Sequence, residues 1–538
     1  VTAQRQWWQD AVIYQIYPRS FADSNGDGIG DLRGITAHLG YLADTLGVDA
    51  VWLSPIYPSP QVDFGYDVSD FTGIDPTFGT LGDFDDLIRE AHTRDLRIII
   101  DFVPNHTSDQ HPWFVESRSS RTNPKRNWYV WADPAADGGP PSNWTSEQGG
   151  STWEYDKATG QYYLHSFAVS MPDLNWRNPD LRAAMLDVLR FWLHRGVDGI
   201  RIDVAHLIAK DPDFTDNPEV PHPTTNPADR QHPDYDTQLH VNDRLHPDLH
   251  AYLREMRSLL DRIGQETNRP RVAIGEIEVL PWDRWSMFFG AQLDELHLPF
   301  NFHIIEAEWT ADGLRDSIAA QEAALPAGAW PNYVLSNHDR PRLITRHGPH
   351  SARLGLLLLL TVRGTPTLYY GDELALPDLQ LPPSMWRDPL GRDQSRAPMP
   401  WRPGGDRGFC PDGGAPPWLP ASPGDDVATQ LADPHSTLNL TRQLLRLRRD
   451  RPELQSGAMT LMTGIPNGCL GYTRRGPDGT SVIVMNFTGK SVEVTLPDRH
   501  RLLLSTHSGN SQAPTQHRLK LRPFEGVIAE FLTEKEGQ

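Results

Sequence analysis

Eight short apolar runs precede about residue 372, and they constrain the fold more than any other feature. They are Val12–Tyr17, Ala50–Ser54, Arg97–Val103, Gly199–Val204, Val272–Glu276, Leu296–Phe302, Tyr333–Asn337 and Thr365–Tyr370. Most are continuously apolar rather than alternating, as parallel strands buried on both faces are. Helical spacing separates several of them. Leu249, Leu253, Met256, Leu260 and Ile263 recur at three- and four-residue steps before the fifth run, and Phe84, Leu87, Ile88 and Ala91 before the third. Eight strands with helices between them predict a (β/α)8 barrel, whose chemistry sits at the C-terminal strand ends. Three of those ends carry a carboxylate: Asp203, Glu276 and Asp339. Burying an unpartnered charge is costly. Three such acids point to a site where carboxylates do chemistry, such as opening a sugar acetal.

At 538 residues the chain exceeds one ordinary core, so two or three domains are expected. Residues 105–178 interrupt the alternation with Trp113, Trp128, Trp131, Trp144 and Trp153 among Pro and Gly, long enough for a small extra domain. Residues 207–245, rich in Pro, Asp and His, make a loop of a length that is uncommon unless functional or disordered, and 374–425 is a further irregular stretch crowded with Pro and Gly. After a basic helix at Thr441–Asp450 the pattern changes. Ser481–Phe487, Ser491–Leu496, Arg501–Ser505 and Val527–Phe531 read as antiparallel strands. The expectation is an α/β fold: a TIM barrel in two parts (1–104 and 179–454), a small domain inserted after strand three (105–178) and a C-terminal antiparallel β-sandwich (455–538).

The net charge of -20 argues against a nucleic-acid or anionic-membrane partner and suits a neutral substrate. Two cysteines, Cys410 and Cys469, are too few for a disulfide framework. Reduced thiols are expected, with a single bridge as the alternative. Val1 to Asp10 has no apolar signal core, and the longest greasy run, Leu354 to Val362, is too short to span a bilayer. The chain as given reads as cytoplasmic, and as a monomer or homodimer.

Several separated motifs, in order, resemble the α-amylase superfamily (glycoside hydrolase family thirteen), and within it the α-glucosidase and oligo-1,6-glucosidase branch. They are Trp7–Phe21 (WWQDAVIYQIYPRSF), Asp101–Ser108 (DFVPNHTS), Asp173-Leu174-Asn175, Gly199–Val204 (GIRIDV), the Glu276 strand and Asn337-His338-Asp339. The resemblance implies that Asp203 is a nucleophile, Glu276 a general acid/base and Asp339 a stabiliser of the transition state. Retaining chemistry needs an ionised carboxylate below the anomeric carbon and a protonated one beside the leaving oxygen. Arg201, two residues before Asp203, points to the same strand face, and a cation there is expected to keep Asp203 ionised. Glu276 must instead hold a proton, which asks for a drier or more acidic site.

The resemblance also implies a sugar-binding set. Asp63 would pair with Arg396 to grip the outer hydroxyls of the non-reducing glucose, closing one end of the pocket. Tyr66 and Phe167 would stack on the ring, and His106 and His338 would donate to hydroxyls. Taken singly, Tyr66 and Phe167 could be core aromatics and Arg396 a solvated surface side chain. Asp23-Ser24-Asn25-Gly26-Asp27-Gly28-Ile29-Gly30-Asp31 places oxygen groups at alternate positions, like the first half of a calcium loop. By the resemblance Asp23, Asn25, Asp27, the Ile29 carbonyl and Asp31 would hold a structural Ca²⁺ or Mg²⁺; the alternative is a metal-free turn. Met171 stands where related glucosidases usually have Gln. Val204 follows the nucleophile position, where Val often accompanies α-1,6 action. The 207–245 loop is expected to wall the leaving-group side, and Glu278 is a candidate contact there.

The function these features imply is a retaining exo-α-glucosidase acting on short α-glucosides, with sugar or alcohol acceptors for transglucosylation. A trehalose synthase or sucrose isomerase of the same fold is the alternative. A non-catalytic transporter heavy-chain relative would want a membrane anchor and a broken set of acids.

Overall fold

The structure is a computed structural model that describes residues 5–220, 235–277, 280–300, 302–477, 479–507 and 517–532. Eight parallel strands form one sheet: β1 (Ile13–Ile16), β2 (Ala50–Leu53), β3 (Arg97–Phe102), β4 (Gly199–Ile202), β5 (Val272–Gly275), β6 (Leu298–Pro299), β7 (Asn332–Val334) and β8 (Thr365–Tyr369). Their order is β7-β8-β1-β2-β3-β4-β5-β6, a nearly closed barrel. Across the remaining seam the Asn332 side-chain amide donates to the Leu298 carbonyl at 3.5 Å.

Period two sorts the side chains into two layers. Ile13, Ala50, Trp52, Ile99, Val272, Ile274 and Leu298 form one cluster, the barrel interior. Val51, Leu53, Ile98, Ile100, Ile200 and Ile202 join the larger cluster under the outer helices. Asp101, Arg201, Asp203 and Glu276 continue the inward series of β3, β4 and β5. Gly199 opens β4 because nothing larger fits: a Cβ there would meet Val272 Cγ1 at 2.3 Å. The outer helices are capped as their sequences suggest. Thr80 and Asp83 make a capping box for Leu81–His92, and Asn178 caps Pro179–His194 with proline in the first turn.

Strands β6 and β7 are shorter than the sequence runs; Phe300 and Leu335, just past the ladders, lie outside the strands. Between β3 and β4 lies a three-stranded antiparallel sheet of Trp131–Ala132, Gln161–Leu164 and Trp153–Asp156. Beyond the helix Thr437–Asp450, five antiparallel strands form a sheet, and Val492–Thr495 pairs with Arg518–Leu521 in a second. The five-stranded sheet is covered on both faces. Cys469, Val482, Val484, Val527 and Ala529 face the two-stranded sheet, while Leu470, Tyr472, Ile483, Met485 and Ile528 face the barrel. Among the described residues no helix is long and apolar enough to cross a membrane. Cys410 and Cys469 are both buried and unbridged.

Candidate active site

The register of β4 against β5 assembles the acids. Arg201 pairs with Ile274 and Ile202 with Gly275, so the next residues, Asp203 and Glu276, stand opposite each other. Adjacent strands lie about 4.8 Å apart. The Glu276 N–H donates to the Ile202 carbonyl at 2.9 Å, and the Ala205 N–H to the Glu276 carbonyl at 3.0 Å. Asp101 and Arg201 are likewise register partners between β3 and β4. One guanidinium therefore reaches three carboxylates. Arg201 Nη1 lies 2.7 Å from Asp101 Oδ1 and 2.7 Å from Asp203 Oδ1, and Nη2 lies 2.8 Å from Glu276 Oε2. The Val204 N–H also donates to Glu276 Oε2 at 3.0 Å. Val204 reaches that position with a left-handed φ of 35°, strained for a β-branched residue.

Arg201 does not hold Asp203 at the ordinary carboxylate range, contrary to expectation. Burial pushes Asp203 well up, and Glu276, Asp101 and Asp339 push it the same way against the pull of Arg201. A single cation divided among three acids cannot offset their desolvation and mutual repulsion. Burial likewise raises Asp101 to about 6. Asp339 goes the other way: although burial opposes it, His338, Arg392 and Arg396 bring it well below the usual range. Asp339 is thus held ionised, while burial and like charges favour the protonated form of Asp203 and Asp101.

Asp63 meets Arg392, not Arg396. Arg392 Nη2 bonds Asp63 Oδ1, its Nη1 donates to Asp339 Oδ1 at 3.1 Å, and its Nε to Asp388 Oδ2 at 2.7 Å. Arg396 is 1% exposed and sits one turn further along. It donates to the His338 carbonyl at 2.8 Å and to Asp339 Oδ1 at 3.3 Å. The short 3₁₀ turn Arg392–Arg396 separates the two roles. Nothing in Arg392-Asp393-Gln394-Ser395-Arg396 alone distinguishes which arginine faces the cavity.

A cavity of 490 Å³ joins these groups, and Asp63, Tyr66, His106, Phe167, Asp203, Glu276, Asp339 and Arg392 all line it. That size suits a small ligand. The Asp63–Arg392 pair ties the loop after β2 to the segment after β8 and forms part of one wall. His106 Nε2 is buried without a well-formed hydrogen bond, and Phe167 packs edge-on against its ring at 5.1 Å. Burial lowers His106 to about 4, so it is neutral near pH 7.

His338 departs from the expectation of a hydroxyl donor in the cavity. It is wholly buried and does not line the cavity. Gln15 Nε2 donates to its Nδ1 at 2.8 Å, which leaves the ring proton on Nε2, 3.1 Å from Asp339 Oδ2 and 2.7 Å from the Tyr66 hydroxyl. Tyr66 lies parallel to the same ring at 5.5 Å. His338 therefore holds Asp339 and Tyr66 from beneath.

In the first βα loop the oxygens turn to the loop's own backbone. Asp23 accepts from the amides of Asn25, Gly26 and Gly28, Asn25 Oδ1 from Asp27, Asp27 Oδ1 from Ile29, and Asp31 from Ser24 and Gly34. Among the described residues no three His, Cys, Asp or Glu side chains converge as a chelating set. An ion would need the Asn25 amide and backbone carbonyls as well. Those are the hard oxygen donors that Ca²⁺ and Mg²⁺ take, so the donor chemistry fits.

Glu278 falls outside the described residues, as does much of the 207–245 loop. Sequence reasoning missed Arg392, Glu147, Gln148, Phe302 and Trp386 on the cavity wall. Arg392 opens a short 3₁₀ turn and Phe302 ends the sixth apolar run, while Glu147, Gln148 and Trp386 lie in connecting segments, where no periodicity announces which side chain turns inward.

The model of the alpha amylase catalytic domain matches residues 15–457. This chain belongs to that family. It is 41% identical to a probable alpha-glucosidase of Rhizobium meliloti (strain 1021) over 556 residues, covering 98% of this chain and 97% of that protein. It is 34% identical to an oligo-1,6-glucosidase of Parageobacillus thermoglucosidasius, covering 98% and 99%. Among solved structures, the alpha-glucosyl transfer enzyme XgtA superposes with a TM-score of 0.90 at 37% identity, covering 98% of this chain and all (100%) of that one. The trehalulose synthase MutB from Pseudomonas mesoacidophila MX-45 superposes at 0.87 with 34% identity, over 98% and 100%. This α-amylase-family chain thus matches its relatives along nearly their whole length, sandwich included.

Proposed function

We propose that this chain is a retaining, exo-acting α-glucosidase that releases glucose from the non-reducing end of short α-glucosides. The observation that carries this is the β4–β5 register, which sets Asp203 opposite Glu276 in a cavity that the bonded pair Asp63 and Arg392 lines. In the first step an Asp203 oxygen attacks the anomeric carbon. The bond to the leaving oxygen breaks, and Glu276 gives that oxygen its proton. In the second step water enters, Glu276 takes its proton, and the hydroxyl displaces Asp203 from the anomeric carbon. Asp339, ionised beside the cavity, faces the positive charge that develops on the ring. An acceptor hydroxyl in place of water gives transglucosylation. Relatives named alpha-glucosidase and oligo-1,6-glucosidase support this reading. Two buried, separate thiols fit a reducing compartment such as the cytoplasm.

Likeness to MutB, a trehalulose synthase, supports a second reading, in which the cleaved glucose is reattached before it escapes. Incubation with maltose, isomaltose, sucrose and trehalose, followed by NMR of the first products, separates the two. Free α-glucose supports hydrolysis with retention. A new disaccharide without glucose release supports isomerisation, and β-glucose as first product rejects the double displacement. For the loop Asp23–Asp31, a structural Ca²⁺ or Mg²⁺ is the proposal. Chelation should lower the melting temperature and the matching ion restore it. An unchanged melting temperature counts against a bound ion.

A further inference from the structure

The cavity has unlike ends. Asp63 and Arg392, bonded to each other, line one. Glu147 and Gln148, from the inserted domain, line another part. Arg392 follows β8, whereas the residues that support Glu147 follow β4, which stands opposite β8 in the ring of strands. Glu147 is held firmly. The Tyr235 hydroxyl donates to its Oε1 at 3.2 Å, and Arg244 Nη2 lies 3.7 Å from the same oxygen. Tyr235 and Arg244 are 3% and 4% exposed and bond each other. The Tyr235 ring is stacked on His240 at 3.8 Å, with the Arg244 guanidinium 5.2 Å from its centre. Ser146 Oγ donates to the Phe167 carbonyl at 2.8 Å and accepts from the Gln148 N–H at 3.1 Å. The Gln148 backbone is thereby tied through Ser146 to the backbone of Phe167, a residue of the cavity wall, and the Glu147 N–H donates to the neighbouring Ser166 carbonyl at 3.1 Å. Phe302, just past β6, adds apolar surface to the same cavity, whereas Trp386 packs on Gly391 beside Arg392. A carboxylate and an amide for an edge, with aromatic surface for a face, match the two sides of a pyranose ring.

We infer that Glu147 and Gln148 bind the hydroxyls of the leaving group, so that the site selects a second sugar ring over an apolar aglycone. The inference rests on the α-glucosidase reading above and adds the leaving-group class to it. Sugar hydroxyls that donate to the Glu147 carboxylate make charge-assisted bonds. An aryl leaving group has no such donor and covers the carboxylate without replacing its hydration. Tyr235 and Arg244 are positioning residues, acting through Glu147.

The test compares kcat/KM for p-nitrophenyl α-D-glucoside with that for whichever of maltose, isomaltose and sucrose is turned over fastest. Wild type, Glu147→Leu, Glu147→Gln and Tyr235→Phe are measured. The disaccharide-to-aryl ratio should fall about 10- to 100-fold in Glu147→Leu and less in Glu147→Gln. Tyr235→Phe should raise KM for the disaccharide more than it lowers kcat. An unchanged ratio in Glu147→Leu, or equal losses on both substrates, overturns the inference while leaving the glucosidase reading intact. Should Glu147→Leu fail to fold, an unchanged ratio in both other variants overturns it. Wild-type protein inert toward every one of these glucosides overturns both readings together.

Discussion

At the scale of single residues, the site is governed by how few cations serve many acids. Asp203, pushed up by burial and neighbouring carboxylates, must be ionised to attack. Activity should therefore fall with decreasing pH through a value above the ordinary Asp pKa of about 3.9. A kcat/KM profile whose acid limb lies at or below that value would contradict the arrangement. Asp203→Ala should lose activity by several orders of magnitude with an unchanged circular dichroism spectrum. Near-normal turnover would remove Asp203 from the chemistry. The two arginines of Arg392–Arg396 should differ in how they act on the site. Losing the Arg392 charge from the cavity wall removes a charged hydrogen bond of about 1.5–3 kcal/mol, so Arg392→Ala should lower kcat/KM about 10- to 100-fold; it also leaves Asp63, Asp339 and Asp388 without their shared cation, so the melting temperature should fall. Arg396→Ala, which empties a buried site under Asp339, should lower the melting temperature as well.

At the scale of elements, the barrel separates chemistry from stability by strand end. The C-terminal ends carry the acids of the site. Just before β4, Asp198 is wholly buried among His92 at 2.8 Å, Arg269 at 2.9 Å and Arg271 at 3.2 Å. Burial opposes ionisation there, but the His92 bond and charge, the Ile98 N–H and Arg269 outweigh it, so the Asp198 pKa is lowered. A depressed carboxyl pKa contributes stability that is fully present above the unfolded value of about 3.9 and is lost as pH falls through the folded one. Asp198→Asn leaves the cations uncompensated and should cost about 3–5 kcal/mol, read by urea unfolding at pH 7, with the deficit shrinking in acid. A loss below 1 kcal/mol would mean the cluster is solvated. The elements themselves were legible because parallel strands buried on both sides must be apolar throughout. The β6 and β7 runs overreach for the same reason: apolar residues past the ladder, such as Phe300 and Leu335, are buried outside the strands, and hydrophobicity does not mark where pairing stops.

At the scale of the whole molecule, the sandwich is part of the barrel's core rather than an appendage. Its five-stranded sheet presents Leu470, Ile483, Met485 and Ile528 to the same cluster as the helix Ser351–Thr361. That helix is apolar all round because sandwich and barrel bury it from both sides. Gly526 marks the closest approach, where a Cβ would lie 2.3 Å from Leu357 Cδ2. Gly526→Val should destabilise the protein by about 1–3 kcal/mol through overpacking, seen as a lower midpoint of a single unfolding transition. A variant as stable as wild type would mean that the two units can move apart.

The chain's own sequence determined the strand count, the parallel class, the inserted and C-terminal units, and the three acids at strand ends. Each is written in local patterns: continuous apolar runs, helical spacing, and a charge where a strand stops. Only the tertiary structure decided that Arg392 rather than Arg396 meets Asp63, that His338 lies beneath the cavity, and that Arg201 is shared among three acids. These depend on which of several nearby polar side chains a loop turns inward and on how many charges meet across strands far apart in sequence. Burial and Coulomb interactions among distant residues set both, and no window along the chain contains them.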